Sequence, residues 1–161
     1  MDANLEVQSA LIRILNLEIE QAQRLLDLLE QEYQLLLTSP GKSLEALLQE
    51  KRRQLKSVEE SVAQHHRFLH QQGLSPDRTG TLAFMETATD NPQLLETWKR
   101  FESLLQTCQK QNQINGGAVT LNQRQTKQML EILLGIGSGN KTYSRSGESR
   151  SVNSPNSLGK A

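Results

Sequence analysis

The sequence predicts an all-α protein: an elongated antiparallel helical bundle, or coiled-coil hairpin, of about four helices with a flexible C-terminal tail. Apolar residues recur at alternating steps of three and four through long segments, and clusters containing Gly or Pro separate those segments. A seven-residue apolar repeat keeps one seam of a helix facing a neighbouring helix. We therefore expect helices at about 4–37, 43–72, 92–114 and 121–134.

The length and composition indicate one helical domain. A chain of 161 residues fits a single core, and its 35% hydrophobic and 4% aromatic content suits thin helical layers. We expect the bundle to occupy residues 1–136. Residues 137–161 are rich in Gly, Ser and Asn, so this tail is expected to be disordered when alone.

The net charge indicates which classes of partner the chain can bind, and the cysteine content indicates its cellular compartment. Lys plus Arg and Asp plus Glu both number 18, so the chain has no basic excess for binding nucleic acid. Cys108 is the only cysteine, which excludes an intrachain disulfide and favours a reducing cytosol. No segment has the roughly 20 apolar residues of a spanning helix or the pattern of a signal peptide, so we expect a cytoplasmic protein without direct membrane insertion.

The first two helices are predicted to form an antiparallel hairpin. Residues 4–37 contain no Gly or Pro, whereas Ser39-Pro40-Gly41-Lys42 interrupts the pattern with residues that end helices. We interpret the basic cluster Lys51-Arg52-Arg53 as a solvated face. The predicted seam of the first helix is Ile12, Leu15, Ile19, Ala22, Leu26, Leu29, Tyr33 and Leu36, and that of the second is Leu44, Leu48, Lys51, Leu55, Val58, Val62, His65 and Leu69.

The second half of the chain contains two further predicted helices. Residues 73–90 are interpreted as a connection in which Leu82, Phe84 and Met85 could pack as a short helical turn. Asn91-Pro92 has the composition of an N-cap followed by a first helical residue. The spacing of Thr120 and Gln123 matches a capping box. The third seam is Leu94, Trp98, Phe101, Leu105 and Cys108.

Three patterns raise the possibility of chemistry, and none supports it strongly. The segment 135–142 lacks the second glycine of a phosphate-binding loop, and a helix rather than a strand precedes it. His66 and His70 share a helix face but lack a third zinc ligand, so solvated or hairpin-packed histidines are favoured. Cys108 lies on an apolar seam, where a buried neutral thiol is expected. We therefore expect no enzyme activity and no cofactor.

The last helix has an apolar stripe broader than one seam needs. Met129, Ile132, Leu133 and Ile136 share one face, and Leu130 and Leu134 widen it. The stripe either completes the bundle or forms a groove for a partner, and the sequence favours neither. A self-assembling coiled-coil scaffold or adaptor protein, formed through the long hairpin, is the alternative to a protein that binds a partner's helix on this stripe.

Several segments follow one another in the order and spacing of a known protein family: the Leu-rich first helix, Leu47-Leu48-Gln49-Glu50-Lys51, Trp98, Asn112-Gln113-Ile114-Asn115-Gly116, Met129-Leu130-Glu131-Ile132-Leu133, and Tyr143 with Gly147. Asn-x-x-Asn-Gly is the most specific of these elements. Together they cover most of the chain, which resembles the FlgN family of flagellar export chaperones.

The resemblance implies a cytosolic chaperone that binds the hook-filament junction proteins FlgK and FlgL before type III export. It also implies contact with the gate and ATPase components of the export apparatus. The family binds clients through its C-terminal part, so the resemblance assigns client binding in this chain to Leu121, Met129, Ile132, Leu133 and Ile136. It assigns docking on the export gate to Tyr143. In this chain, however, Ser144-Arg145-Ser146 lacks the acidic residue of the family pattern.

Overall fold

The computed structural model describes residues 2–38, 41–116 and 120–136, without the side chains of residues 2, 120–123 and 125. The described residues contain helices and no strand, which confirms the all-α prediction. Four of the helices overlie the four expected ranges, and α3 is additional. The helices are α1 (Asp2–Thr38), α2 (Lys42–Gln71), α3 (Arg78–Thr87), α4 (Pro92–Ile114) and α5 (Thr120–Leu134).

Helix α1 packs against both α2 and α4 and therefore buries two faces. Its predicted seam is buried from Ile12 to Leu29, whereas Tyr33 and Leu36 near its end are half-buried. A helix between two neighbours needs a wider apolar face than a single coiled-coil seam supplies. Accordingly, a second set of apolar side chains is also buried: Leu11, Ile14 and Leu25.

Helices α1 and α4 run parallel to each other. Asn91 Nδ2 donates to Gln8 Oε1 at 2.8 Å near the start of both helices. Asn115 Nδ2 donates to Leu29 O at 2.7 Å near the end of α4. The two residues of the first pair are 83 positions apart in sequence, and those of the second pair are 86 apart. This separation is almost constant along the helices, as it is when two helices run in the same direction.

Helix α3 replaces much of the expected connection between α2 and α4. Its start is capped by Asp77, whose side chain accepts a hydrogen bond from Gly80 N at 3.0 Å. Such a cap satisfies a backbone donor that the helix itself cannot pair. The ring of Phe84 meets Phe68 of α2 edge to face, with centroids 5.5 Å apart. A capped start and a buried aromatic contact therefore stabilise a helix of 10 residues.

The interpretation of Lys51 as part of a solvated basic face is wrong. Its side chain is 0% exposed, and its Nζ lies 2.9 Å from Glu32 Oε2. A buried ammonium needs a charged or strongly polar partner to offset its lost hydration. Glu32 supplies that partner because Lys51 occupies a seam position of α2. Arg53, by contrast, is 74% exposed.

The Asn-x-x-Asn-Gly element ends α4 against α1. In addition to its bond with Leu29, Asn115 donates to Glu32 Oε2 at 3.0 Å. At Gly116 an added Cβ would lie 2.7 Å from Gln113 O, closer than a side chain can approach. The asparagine thus joins two helices, and the glycine permits the tight turn that ends α4, in which its N–H donates to Gln113 O at 3.0 Å.

Within the part of the chain that the structure describes, no helix combines the length and apolar character needed to cross a membrane.

Candidate functional site

The inner face of α5 completes the bundle. Helix α5 packs against α4 and α2, and Leu130 and Leu134 are 0% and 8% exposed. Thr126, one turn earlier, is also buried. These three positions are four residues apart, so they share one side of the helix. Part of the broad apolar stripe therefore contributes to the protein's own core.

The residues expected to bind a client divide between partly covered and exposed positions. Met129 and Leu133 are half-buried and pack against the core. Ile132 and Ile136 are each 56% exposed. Leu121 lies in α5, but its side chain is outside the described residues. Of the four whose side chains the structure describes, the two isoleucines alone present most of their apolar surface outward.

The end of α5 has a defined geometry. Gly135 adopts the left-handed region with φ of 66°, and its N–H donates to Ile132 O at 3.2 Å. Ile136 N donates to Glu131 O at 3.0 Å. This pair of bonds is a Schellman motif, which satisfies carbonyls at a helix end. The motif fixes Ile136 relative to Ile132.

The end of α5 lies against Arg78, at the start of α3. A Cβ on Gly135 would lie 2.9 Å from Arg78 Cδ, so a side chain at this position would collide with the arginine. Arg78 Nε in turn donates to Glu102 Oε1 of α4 at 3.1 Å. The α5 terminus thus meets α3 and α4 at one place, and charged groups border the exposed isoleucines.

The expected gate-docking residue Tyr143 lies outside the described residues, as does the segment Gly137–Thr142 of the incomplete phosphate-binding loop. Gly135, the first residue of that pattern, follows α5 directly, so a helix rather than a strand precedes the pattern.

A small cavity of about 20 Å³ lies beneath α5. Ile132 and Leu133 form its α5 side, and Trp98 and Phe101 form its α4 side. The remaining lining residues come from α1, the α2 region and the start of α3, and several are ionisable: Glu18, Val62, His65, His66, Leu69, Asp77, Arg78 and Thr81. The cavity therefore joins the apolar stripe to a buried polar cluster.

Three polar side chains of that cluster connect α1, α2 and α3. His65 Nδ1 lies 2.9 Å from Glu18 Oε2, and His65 Nε2 lies 3.2 Å from Thr81 Oγ1. Thr81 Oγ1 donates its proton to Asp77 O, so it accepts from His65 Nε2–H. Glu18 Oε2 faces Nδ1, the other ring nitrogen of His65, so a hydrogen bond between them requires a proton on one of these two atoms.

Burial raises the pKa of the Glu18 carboxyl above its ordinary value of 4.5, and its bond and charge interaction with His65 oppose this rise. A raised folded-state pKa means that Glu18 contributes most to stability while it is protonated. This contribution is present below about pH 4.5 and is lost as the pH rises through the folded-state pKa.

We expect Glu18→Gln to weaken the pH dependence of folding. The amide keeps a hydrogen-bonding group beside His65 but does not ionise. Urea denaturation between pH 4 and 8 should show a smaller decline of the unfolding free energy with rising pH in the variant than in the original chain. Glu20→Gln, at an exposed position two residues along α1, is the control and should keep the original slope. Equal slopes for all three proteins would contradict the assignment to Glu18.

The other candidate groups have structural surroundings. Cys108 is buried, its Sγ donates to Ala22 O at 3.4 Å, and burial raises its pKa to about 12, which confirms the expected neutral thiol. His66 is half-buried, and burial lowers its pKa, whereas His70 is exposed. Among residues 2–38, 41–116 and 120–136, no group of three or more potential metal ligands comes together.

Sequence reasoning missed the partners of the buried polar residues. Glu18 and Glu32 continue a seven-residue series with Leu11 and Leu25, which is the second buried face of α1. The polar residues that interrupt this series and the α2 seam were the sequence signal that could have indicated buried polar pairs. Arg78 gave no such signal, because its role depends on where α5 ends.

Comparison with known proteins identifies the family. The model of the FlgN protein family matches residues 1–151. No curated protein matches the chain at a significant level. A crystal structure from Pseudomonas aeruginosa, of a protein assigned to flagella synthesis as FlgN, superposes with a TM-score of 0.64 at 29% identity. The match covers 77% of this chain and 95% of that one. The family match spans nearly the whole sequence, and the chain therefore belongs to the FlgN family.

Proposed function

We propose that the chain is a cytosolic type III export chaperone for the hook-filament junction proteins FlgK and FlgL. It binds them before export, prevents their premature assembly and delivers them to the export apparatus. Membership of the FlgN family and the likeness to a flagella synthesis protein support a role in flagellum assembly. The choice of FlgK and FlgL as clients follows from the family resemblance.

The observation that carries the proposal is the exposure of Ile132 and Ile136 on a helix whose inner face is already packed. Each is 56% exposed, while Leu130 behind them is fully buried. Helix α5 therefore presents apolar side chains without leaving the bundle. An amphipathic client helix could cover them by placing its own apolar face along α5.

The size of this surface suits reversible binding. Burying one isoleucine fully contributes roughly 1.5–3 kcal/mol, before the entropy of association is subtracted. The half-buried Met129 and Leu133 border the two isoleucines and add contact area. Charged groups at the border, including Lys127 and Glu131 with 3.7 Å between their charged atoms, can orient the client. Binding by this surface consumes no nucleotide.

The test is to change Ile132 and Ile136 together to serine and measure binding of purified FlgK and FlgL by calorimetry. We expect the affinity to fall tenfold or more, because tenfold corresponds to only about 1.4 kcal/mol. Helicity should be retained, since neither side chain is in the core. Unchanged affinity in the folded variant would remove this surface from client binding.

A matched control is available near the other end of the bundle. Leu37 and Ile114 are 64% and 52% exposed at the ends of α1 and α4. Changing both to serine removes similar exposed apolar area and should leave client affinity unchanged. Light scattering on the same proteins addresses the scaffold alternative. That alternative would be favoured if the original chain forms a stable oligomer that does not bind FlgK or FlgL, and if the control variant no longer forms this oligomer.

Delivery to the export apparatus is assigned to Tyr143 through the family resemblance. Tyr143 lies seven positions after Ile136, the last described residue. We propose that Tyr143 docks on the export gate while the client occupies α5, with the ATPase components as further partners. The two contacts use different parts of the chain, so one molecule can make both.

A further inference from the structure

A second surface feature lies on the side of α3 that faces the start of α1. It is a groove of about 390 Å³, a volume within the usual range for pockets that bind small molecules or side chains. Helix α1, the segment after α2, and α3 form its walls. The lining residues are Ala3, Asn4, Val7, Gln72, Leu74, Ala83, Phe84 and Thr87.

The groove has an apolar floor and a neutral polar rim. Phe84, Leu74 and Val7 form the more buried part, whereas Asn4 and Gln72 are exposed. No lining residue carries a charge. A tyrosine side chain has matching properties, because its ring is apolar and its hydroxyl needs a hydrogen-bond partner. An amide at the rim can supply that partner.

The described part of the chain ends beside α3, the helix that forms one wall of this groove. The described part of α5 ends at Ile136, beside Arg78 at the first residue of α3. The groove is lined by residues five to nine positions further along α3, about 8–14 Å at helical rise. Tyr143 lies seven positions after Ile136, and an extended chain of that length spans roughly 25 Å. The tyrosine can therefore reach the groove.

Tyr143 is also the only aromatic residue that follows Phe101 in the chain. A tether this short gives an effective concentration on the order of millimolar, so a weak contact suffices for occupancy. No other residue after Ile136 offers an aromatic ring for the floor formed by Phe84.

We propose that Tyr143 binds in the groove of its own chain, against Phe84, Leu74 and Val7. The contact lies within one molecule and requires no partner protein. Its regulatory meaning rests on the proposed function: while Tyr143 occupies the groove it is withheld from the export gate, and its release makes the chaperone competent to dock.

The contact is tested with the full chain labelled with 3-fluorotyrosine. The sequence has two tyrosines, so two fluorine resonances are expected, and Tyr143→Phe assigns them. We expect the Tyr143 resonance to be displaced from the position of free fluorotyrosine. Ala83→Lys, which fills the groove, should return it to that position. Thr79→Lys, at an exposed site of α3 outside the groove, should not move it.

Several outcomes would overturn the contact. The contact is refuted if the Tyr143 resonance of the original chain lies at the position of free fluorotyrosine. It is also refuted if the resonance is displaced and Ala83→Lys does not change its position. Thr87→Lys at the exposed rim serves as the second groove variant if Ala83→Lys fails to fold. A displacement that disappears on dilution would show that the tyrosine comes from a second copy or another occupant, and would also refute the proposal.

Binding to the cytosolic part of the export gate separates this inference from the proposed function. If nine-tenths of the grooves are occupied, Ala83→Lys should raise the apparent gate affinity about tenfold, because more of the chain is competent to bind. An unchanged gate affinity, with the resonance released, would refute the regulatory role. A different outcome is that the resonance of Tyr143 is displaced while neither Tyr143→Phe nor Tyr143→Ala changes the affinity for the gate. That result would refute gate docking through Tyr143 and would leave the intrachain contact supported.

Discussion

Replacing Lys51 with alanine is expected to lower the free energy of unfolding by about 3–5 kcal/mol. Both Lys51 and Glu32 are 0% exposed, and their charged atoms are 2.9 Å apart. The variant leaves the Glu32 carboxylate buried without its cation, with Asn115 as a hydrogen-bond donor to it. Urea denaturation at neutral pH measures the loss.

Two companion variants isolate the cause. Arg53→Ala removes an exposed ion pair with Glu50 and should lower the stability by less than about 1 kcal/mol. The double change Lys51→Met and Glu32→Gln removes both charges and keeps an acceptor for Asn115, so it should recover most of the loss. If Lys51→Ala is no more damaging than Arg53→Ala, the buried pair does not stabilise the hairpin.

Replacing Phe101 with alanine is expected to have an effect of similar size, about 3–5 kcal/mol, because a buried ring is lost and a cavity remains. Phe101 is 2% exposed, and its ring centroid lies 5.9 Å from that of Trp98. It also lines the cavity under Leu133 of α5. Chemical denaturation should show a lower midpoint, and the helicity of the variant should fall if α5 loses its support.

Ser103→Ala provides the comparison on the same helix. Ser103 is exposed, and surface substitutions of this kind change the stability by less than about 0.5 kcal/mol. A Phe101→Ala protein as stable as the Ser103→Ala protein would show that the α4 seam is not a main source of stability.

The helical fold could be predicted because each long helix carries its own periodic signal. The seams that contain Leu15 and Leu105 are unbroken by Gly or Pro, and the period of 3.5 residues has no counterpart in a strand. The second face of α1 was missed because Glu18 and Glu32 interrupt it. A carboxylate in an apolar series is normally a sign of solvent exposure.

The buried polar pairs could not be predicted, because their partners are remote in sequence. Lys51 is 19 residues from Glu32, and His65 is 47 residues from Glu18. Local patterns do not contain this information. It arises from the register in which α2 lies against α1, and that register becomes visible only when the hairpin is assembled.

The candidate site was predictable as an amphipathic helix and unpredictable in its orientation. Leu130, Ile132 and Leu134 are equally apolar in sequence, yet only Ile132 is exposed. The difference depends on where α2 and α4 meet α5. The pattern therefore indicated the helix but could not indicate which of its side chains remain accessible.

The parallel pairing of α1 with α4 has a consequence during synthesis on the ribosome. The hairpin of α1 and α2 ends at Gln71, whereas α4 ends at Ile114. Translation at about 5–20 residues per second separates these points by roughly 2–9 seconds. During that interval the α4-facing side of α1, including Leu29, has no native cover. The nascent hairpin can then aggregate through that side, and slowing elongation between codons 72 and 114 should increase aggregation of the newly made chain.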